Sequence, residues 1–291
     1  MDKLNKNYKT NVLIIGLGLM GGSYAKALRR CGFTVNAITK EQNSIDYAIE
    51  NGIINSGSTY LDRKMIKEAD LVVFALYPAD FINWIKENQY LFSPGTVITD
   101  VTGVKSSIVY EIQSVLRDDV EFIAAHPMAG REVYGVQNSD DGMFRGANYI
   151  ITPTEKNTKE AIELSRELGT LLGFKNICIL SPEEHDEIIG FVSQLTHCIA
   201  ITLMTCNDIE NLEKYTANSF KDLTRIAKIN DAMWSELFMM NKDALLREMK
   251  LFEKKFASLR SMLEDGDIDG MREMMKQSTA RRAEFDKNDS K

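Results

Sequence analysis

Apolar positions in the first two thirds of the chain come in short unbroken runs. NVLIIG (Asn11–Gly16), TVNAIT (Thr34–Thr39), LVVFAL (Leu71–Leu76), TVITD (Thr96–Asp100) and EFIAA (Glu121–Ala125) all have this form. Such runs fit strands covered on both faces. Helical spacing fills the intervals. One helix is expected over Gly21–Arg30 with Gly32 as its stop, and another over Asn43–Asn51 with Gly52 as its stop. NYIITP (Asn148–Pro153) and NICIL (Asn176–Leu180) predict two later strands flanking a helix at Lys159–Leu172. Repeated βα units predict an α/β fold built on a doubly wound parallel sheet over residues 8–180.

The pattern changes after Leu180. SPEE (Ser181–Glu184) has the form of a helix start: serine cap, proline at the first helical position, glutamate three after the cap. No strand pattern follows, so residues 181–291 are expected to form an all-α domain. Leu245, Met249, Phe252, Phe256, Leu259 and Leu263 recur at spacings of 4, 3, 4, 3 and 4, a stripe that suits a core or a subunit interface. The polar tail QSTARRAEFDKNDSK is expected to fray.

Composition narrows the function classes. With 44% hydrophobic residues among 291, the chain can bury a substantial core. A net charge of −7 with no basic block argues against nucleic acid or an anionic membrane as partner. No uninterrupted apolar run approaches the ~18 residues of a membrane span, and MDKLNKNYKT lacks the apolar core of a secretory signal. Cys31, Cys178, Cys198 and Cys206 show no CxxC spacing, which points to reduced thiols in a cytoplasmic protein and to no metal site.

GLGLMG (Gly16–Gly21) follows a strand and opens a helix, the context in which G-x-G-x-x-G binds a dinucleotide. Gly16 permits the turn, and Gly18 lets the backbone approach a pyrophosphate. Gly21 lets helix and strand pack, with the anion at the helix start formed by Leu19 and Met20. This makes the first domain Rossmann-type. An acidic residue about 20 positions on would select NAD. Thr39 stands 18 residues after Gly21, followed by Lys40, a hydroxyl and a cation better suited to a 2′-phosphate. NADP is therefore favoured over NAD, with Glu41 as an acid one position later and a solvated Lys40 as the plain alternative.

Ligands in doubly wound sheets bind beyond the carboxyl ends of the strands. Asp100 and Thr102 of TDVTGVK and His126 of HPMAG are expected there, with proline ending the strand after the histidine. A histidine beside a nicotinamide can take the proton of an alcohol as its carbon gives up hydride. It can equally well cap the strand by bonding a carbonyl. On the Ser181 helix, Asp186, Gly190, Ser193 and His197 are spaced 4, 3 and 4 apart and share a face too polar for a core. His185, in the first turn, is expected at the surface. Lys221 and Arg225 of FKDLTRIA sit among apolar residues, a setting that suits a carboxylate clamp.

GLGLMGGS, TDVTGVK, HPMAG, SPEEHD…SQLTH and FKDLTRIA follow one another as in the prephenate/arogenate dehydrogenase family, which the chain resembles over residues 10 to 265. The resemblance implies a Rossmann domain followed by a helical dimerisation domain. It implies oxidative decarboxylation of a cyclohexadienyl acid on the route to tyrosine, in a homodimer. It implies that His126 is the catalytic base and that Arg225, with Lys221 beside it, binds a substrate carboxylate. Asp186, His197 and Glu132 would border the substrate. Three positions depart from the family pattern. The T-D-x-G-S-V-K serine is absent, and Thr102 is expected to supply the hydroxyl instead. S-H-L-P-H reads SQLTH, so the role of one histidine does not carry over. Arg131 replaces a smaller polar residue and is expected to contact a second carboxylate. Arogenate is the alternative substrate, and a non-catalytic NADP(H) sensor the alternative class. A β-hydroxyacid dehydrogenase would place a lysine on the helix from Glu183 to about Asn207, where this chain has none.

Overall fold

The computed structural model describes residues 10–289; the expected domain start at residue 8 and nearly all of MDKLNKNYKT lie outside them. The first strand and helix are β1 (Asn11–Ile15) and α1 (Leu19–Arg30). There follow β2 (Thr34–Ile38), α2 (Gln42–Glu50), β3 (Ser56–Ser58), α3 (Arg63–Lys67), β4 (Leu71–Phe74) and α4 (Pro78–Asn88). Next come β5 (Val97–Asp100), α5 (Ser106–Val115), β6 (Glu121–Phe122), β7 (Ala124–Met128) and β8 (Asn148–Thr152), then α6 (Lys159–Leu172) and β9 (Asn176–Ile179). The helical part holds α7 (Pro182–Ile189), a π-helical turn (Gly190–Leu195), α8 (Thr196–Thr205), α9 (Asn218–Thr224), α10 (Asp231–Met240), α11 (Lys242–Glu264) and α12 (Ile268–Asp289).

Six parallel strands run in the order β3-β2-β1-β4-β5-β6. The order reverses direction beside β1, as in a doubly wound Rossmann sheet. Alternate residues of β1 enter two cores: Val12 and Ile14 join α1 and α6, while Leu13 and Ile15 join α4 and α5. Both faces are thus covered, which is why these strands read as unbroken apolar runs.

The doubly wound parallel sheet does not take in every strand of the series. The run from Glu121 divides at Ile123. Its first half, β6, pairs with β5, and its second half, β7, pairs antiparallel with β8 in a separate sheet of order β7-β8-β9. Where the β5–β6 ladder would continue, the Asp100 carboxylate takes the Ala125 amide instead, at 3.2 Å. Proline does not end the strand. Pro127 lies within β7, an edge strand of its sheet, where a missing N–H is tolerated. His126 is therefore mid-strand, opposite Ile150.

The helical part begins as expected: the Ser181 hydroxyl accepts from the Glu184 amide and the Glu184 carboxylate from the Ser181 amide. By compactness alone the chain forms one unit up to Lys242 and a second from Asp243. Leu237 of α10 is buried in the core formed by α4 and α5, with Met233 and Trp234 packed against it. The Glu236 carboxylate accepts from the Ala79 amide in the first turn of α4, at 2.6 Å. In the second unit, Phe252, Phe256 and Leu263 of the α11 stripe are exposed, so most of that stripe is surface and not core. The C-terminal tail does not fray as expected: α12 continues to Asp289. The helix spanning 182–205 has the length and apolar composition of a membrane-crossing segment, with a mean hydropathy of 1.6. We read it as a packing helix, because it buries His185, Asp186 and Gln194 in hydrogen bonds to neighbouring elements.

The glycine loop gives a direct test of this packing. A Cβ on Gly21 would strike the Gly16 carbonyl and press on Ile14, whereas one on Gly18 would meet nothing within 4 Å. Gly21→Ala is expected to lower the unfolding free energy by about 1–3 kcal/mol, the usual cost of overpacking. Gly18→Ala should leave the urea midpoint in place, and equal midpoints for the two variants would contradict this account.

Candidate active site

The β1–α1 turn is shaped to admit a dinucleotide. Gly16 has φ +96°, and a side chain there would strike the Ala75 carbonyl. Gly18 caps α1 without a side-chain hydrogen bond, and the first turn, which starts at Leu19 and Met20, holds no acid. The leading amides and the positive end of the helix are thus open to an anion. At the end of β2 the Thr39 amide bonds the Ser58 carbonyl at 3.1 Å, and Lys40 is exposed. The Glu41 carboxylate is turned back to accept from the Ser44 hydroxyl at 3.0 Å, which engages the fallback acid in its own helix start.

The turn after β5 is held by buried charges. Asp100 and Lys105 are both fully buried, 2.7 Å apart. The same Asp100 oxygen accepts from the Thr102 amide at 3.0 Å and from the Thr102 hydroxyl, and Lys105 Nζ donates to that hydroxyl at 3.1 Å. Burial pushes the Lys105 ammonium down and the Asp100 charge opposes this. Two expectations are affected here. The Asp100 side chain is a buried counter-ion of Lys105, and the Thr102 hydroxyl, expected to supply the missing serine's, is bonded to that same carboxylate. Gly103 occupies the serine's position. A Cβ there would stand 3.8 Å from His126 Nε2 and 3.7 Å from Leu237.

His126 leads into a second chain of buried groups. Its Nδ1 lies 2.9 Å from His185 Nε2, and His185 Nδ1 lies 2.8 Å from Asp186 Oδ1. The Asp186 carboxylate also accepts the amides of Lys105 and Ser106, each at 2.8 Å, and so caps α5 from a different helix. Burial alone would raise the Asp186 carboxyl, but the bonds from His185 and Ser106 outweigh it and hold it below the usual range. Burial, then His185 and Lys105, depress His126 well below an ordinary histidine. Burial also lowers His185, against the pull of Asp186.

His185 is completely buried, contrary to the expected surface position. The signal was present in the spacing. His185 stands four residues before buried Ile189, on the helix's inward stripe. Gln194, where the resemblance lost a histidine, is a structural tie. It donates to the Leu237 carbonyl at 2.9 Å and accepts from Asn241 at 2.8 Å. Asn241 in turn donates to the Asp186 carbonyl at 2.8 Å.

The remaining candidates gather around His197. Its ring stacks on Trp234, with centroids 3.7 Å apart, and its Nδ1 lies 2.9 Å from the Ser193 carbonyl. Burial lowers its pKa, opposed by the Ser193 carbonyl and the Glu132 charge and reinforced by Arg225. Arg225 and Glu132 form an ion pair at 2.6 Å, with the guanidinium exposed. The single polar face expected for Asp186 and His197 is interrupted by the π-helical turn. Asp186 meets α5, while His197 meets α10. Helix α10 joins the two clusters, since Leu237 borders Gly103 and Trp234 lies one turn earlier against His197. Lys221 is exposed on the turn before Arg225. Arg131 is held by its own loop, donating to the Asn138 carbonyl at 2.6 Å, and not by any feature of this cluster. Among the described residues no group of three or more His, Cys, Asp or Glu side chains is arranged to hold a metal.

Known proteins resemble this chain in sequence and fold. Residues 24–178 match the model of the prephenate dehydrogenase nucleotide-binding domain, and residues 181–277 that of the prephenate dehydrogenase dimerization domain. The prephenate dehydrogenase of Bacillus subtilis (strain 168) is 30% identical over 274 residues, covering 90% of this chain and 72% of that protein. That of Lactococcus lactis subsp. cremoris (strain MG1363) is 32% identical over 251 residues, covering 84% and 68%. The solved structure of A. aeolicus prephenate dehydrogenase in complex with hydroxyphenyl propionate and NAD+ has a TM-score of 0.88 at 32% identity, covering 97% of this chain and 100% of that one. Domain models matched in series, relatives at this identity and a common fold lead to one conclusion: the chain belongs to the prephenate dehydrogenase family.

Proposed function

We propose that this chain catalyses the oxidative decarboxylation of prephenate to 4-hydroxyphenylpyruvate, a step of tyrosine biosynthesis, with NADP favoured over NAD. The observation that carries the reading is His126. It is half-buried, held well below an ordinary histidine by desolvation, then by His185 and Lys105, and its Nε2 lies beside the side-chain-free Gly103 on the turn after β5. That nitrogen accepts the proton of the ring hydroxyl. Gly16, Gly18, Leu19, Met20 and Gly21 would hold the pyrophosphate of a nicotinamide dinucleotide, which when bound would supply the hydride acceptor. As the hydride leaves the hydroxyl-bearing carbon, the bond to the ring carboxylate on the opposite carbon breaks. Its electron pair passes through the ring to the new carbonyl oxygen, carbon dioxide departs, and the resulting phenolate takes the proton back from His126 Nε2 to give the phenol.

Arg225 holds the ring carboxylate, with Lys221 one turn away adding positive charge. It already pairs with a carboxylate, that of Glu132, in a geometry a substrate can take over. His197, held flat against Trp234, borders the same space. Thr39 and exposed Lys40 support the NADP preference, since the nearest acid, Glu41, is engaged with Ser44. A homodimer through the helical domain fits the exposed Phe252, Phe256 and Leu263 stripe. A cytoplasmic setting fits four unpaired thiols.

Prephenate, and then arogenate, is mixed with purified protein and NAD or NADP, and reduced nicotinamide is followed by absorbance. Turnover with prephenate is expected. Turnover with arogenate alone would change the substrate, and none with either would leave a cofactor-binding sensor. His126→Asn should lower kcat by roughly 10²–10⁴ with cofactor affinity unchanged, as for loss of a general base. Arg225→Ala should instead act mainly on KM. With His126 depressed, the wild-type rate should hold steady through neutral pH and fall only below the ordinary histidine pKa of ~6.5; a fall centred above that value would contradict the assignment.

Lys40→Ala should raise KM for NADP about tenfold, as for loss of one charge-assisted contact, and leave that for NAD in place. Equal effects on both cofactors would remove the 2′-phosphate reading. Sedimentation should show a dimer that the double change Phe252→Glu and Phe256→Glu converts to monomer; an unaltered mass would place the interface elsewhere.

A further inference from the structure

His185 has no part in the proposed reaction, yet among the described residues it is the one side chain hydrogen-bonded to the base. We propose that His185, held by Asp186, is the positioning residue that fixes His126 in its Nδ1–H tautomer and so presents a bare Nε2 to the substrate hydroxyl. The inference rests on His126 being the base of the proposed reaction.

The case is a count of protons. Asp186 is an ionised carboxylate and can only accept. Its oxygens already take the amide hydrogens of Lys105 and Ser106, which fixes the carboxylate in place. The 2.8 Å contact between Asp186 Oδ1 and His185 Nδ1 is a hydrogen bond only if that nitrogen carries the proton. A neutral imidazole carries one proton, so His185 Nε2 is an acceptor. Its partner at 2.9 Å, His126 Nδ1, must therefore donate. Neutral His126 then has its lone pair on Nε2, the edge that faces Gly103.

The opposite polarity does not close. If His185 donated from Nε2, it would either turn a bare Nδ1 lone pair toward a carboxylate or carry both protons as a buried cation. Burial opposes the second case, and so does Lys105, from the turn before α5. The carboxylates of Asp186 on α7 and Asp100 at the end of β5 pull His185 the other way, but they are also engaged with other donors and the net shift of both imidazoles is downward. During turnover the hydroxyl proton arrives on His126 Nε2. The resulting imidazolium keeps donating from Nδ1 to His185, and no proton need pass between the rings.

The test uses the full-length chain labelled with ¹⁵N-histidine at neutral pH, without cofactor or substrate. The sequence holds only three histidines, so His126→Asn and His197→Asn assign the spectrum. Long-range ¹H–¹⁵N correlation distinguishes the two neutral tautomers. His126 is expected as Nδ1–H, and His126 found as Nε2–H in the wild type overturns the proposal. In His185→Leu the Nδ1–H pattern should be lost, and kcat should fall about 10- to 100-fold with KM little changed, a smaller loss than removal of the base. In His185→Gln, whose amide oxygen can stand where Nε2 stood, the Nδ1–H pattern should return with much of the lost kcat. If kcat falls in both variants while the His126 tautomer stays put, His185 is merely structural and the proposal fails. Should His185→Leu not fold, the wild-type and His185→Gln spectra still decide. The tautomer is read without turnover, so an inactive wild type counts against the proposed reaction and not against this hydrogen-bond order.

Discussion

The Asp186 carboxylate is the constraint on which the site depends. It lies on the first helix after the strands end, yet its acceptors serve the amides that open α5 and the ring of His185. One side chain thus caps a helix of the parallel-sheet domain, joins the helical segment to it and orients the imidazole pair. A buried carboxylate without such partners would be strongly disfavoured. With backbone amides and a histidine it remains ionised, and this is what makes it able to direct its neighbours.

The Asp100–Lys105 pair does related work below it. Asp100 receives Lys105, both donors of Thr102 and the Ala125 amide. It thereby substitutes for a missing β-ladder partner at the point where the chain leaves the parallel sheet for the smaller one. That departure sets His126 mid-strand beside Gly103. Burial does most to depress both imidazoles, and the Lys105 charge adds to it. One buried turn thus contributes to both the geometry of the base and its protonation state.

Local signals in the sequence were legible where short-range physics decides. The apolar strands, the Lys159–Leu172 helix, the Ser181–Glu184 capping box and the glycine loop all follow from neighbouring residues. β3, three small residues with no apolar pattern, was not visible, because its place is set by pairing with β2. The split of the Glu121 run was hidden too, since it depends on the distant Asp100 side chain. Resemblance named His126 and Arg225 as chemical groups, while the position of His185 in a first helical turn misleadingly suggested the surface, and the Thr102 hydroxyl turned out to be bonded to Asp100. A hydroxyl or an imidazole carries no mark of whether its partner is a buried aspartate or water. Gln194 read as a lost histidine, and only the fold gives it Leu237 and Asn241 as partners.

The π-helical turn at Gly190–Leu195 has an effect beyond its own hydrogen bonds. A π turn accommodates one more residue than an α turn over nearly the same rise. The helix from Pro182 is therefore two α segments phased by about 100° relative to an uninterrupted helix. That offset lets one rod serve two masters: its first segment buries Asp186 against α5, and its second lays His197 on Trp234. Removing a single residue between them would restore regular winding and keep the helix, while swinging His197 around the rod away from the aromatic ring. Residue count in this stretch, more than residue identity, sets the aim of the pocket.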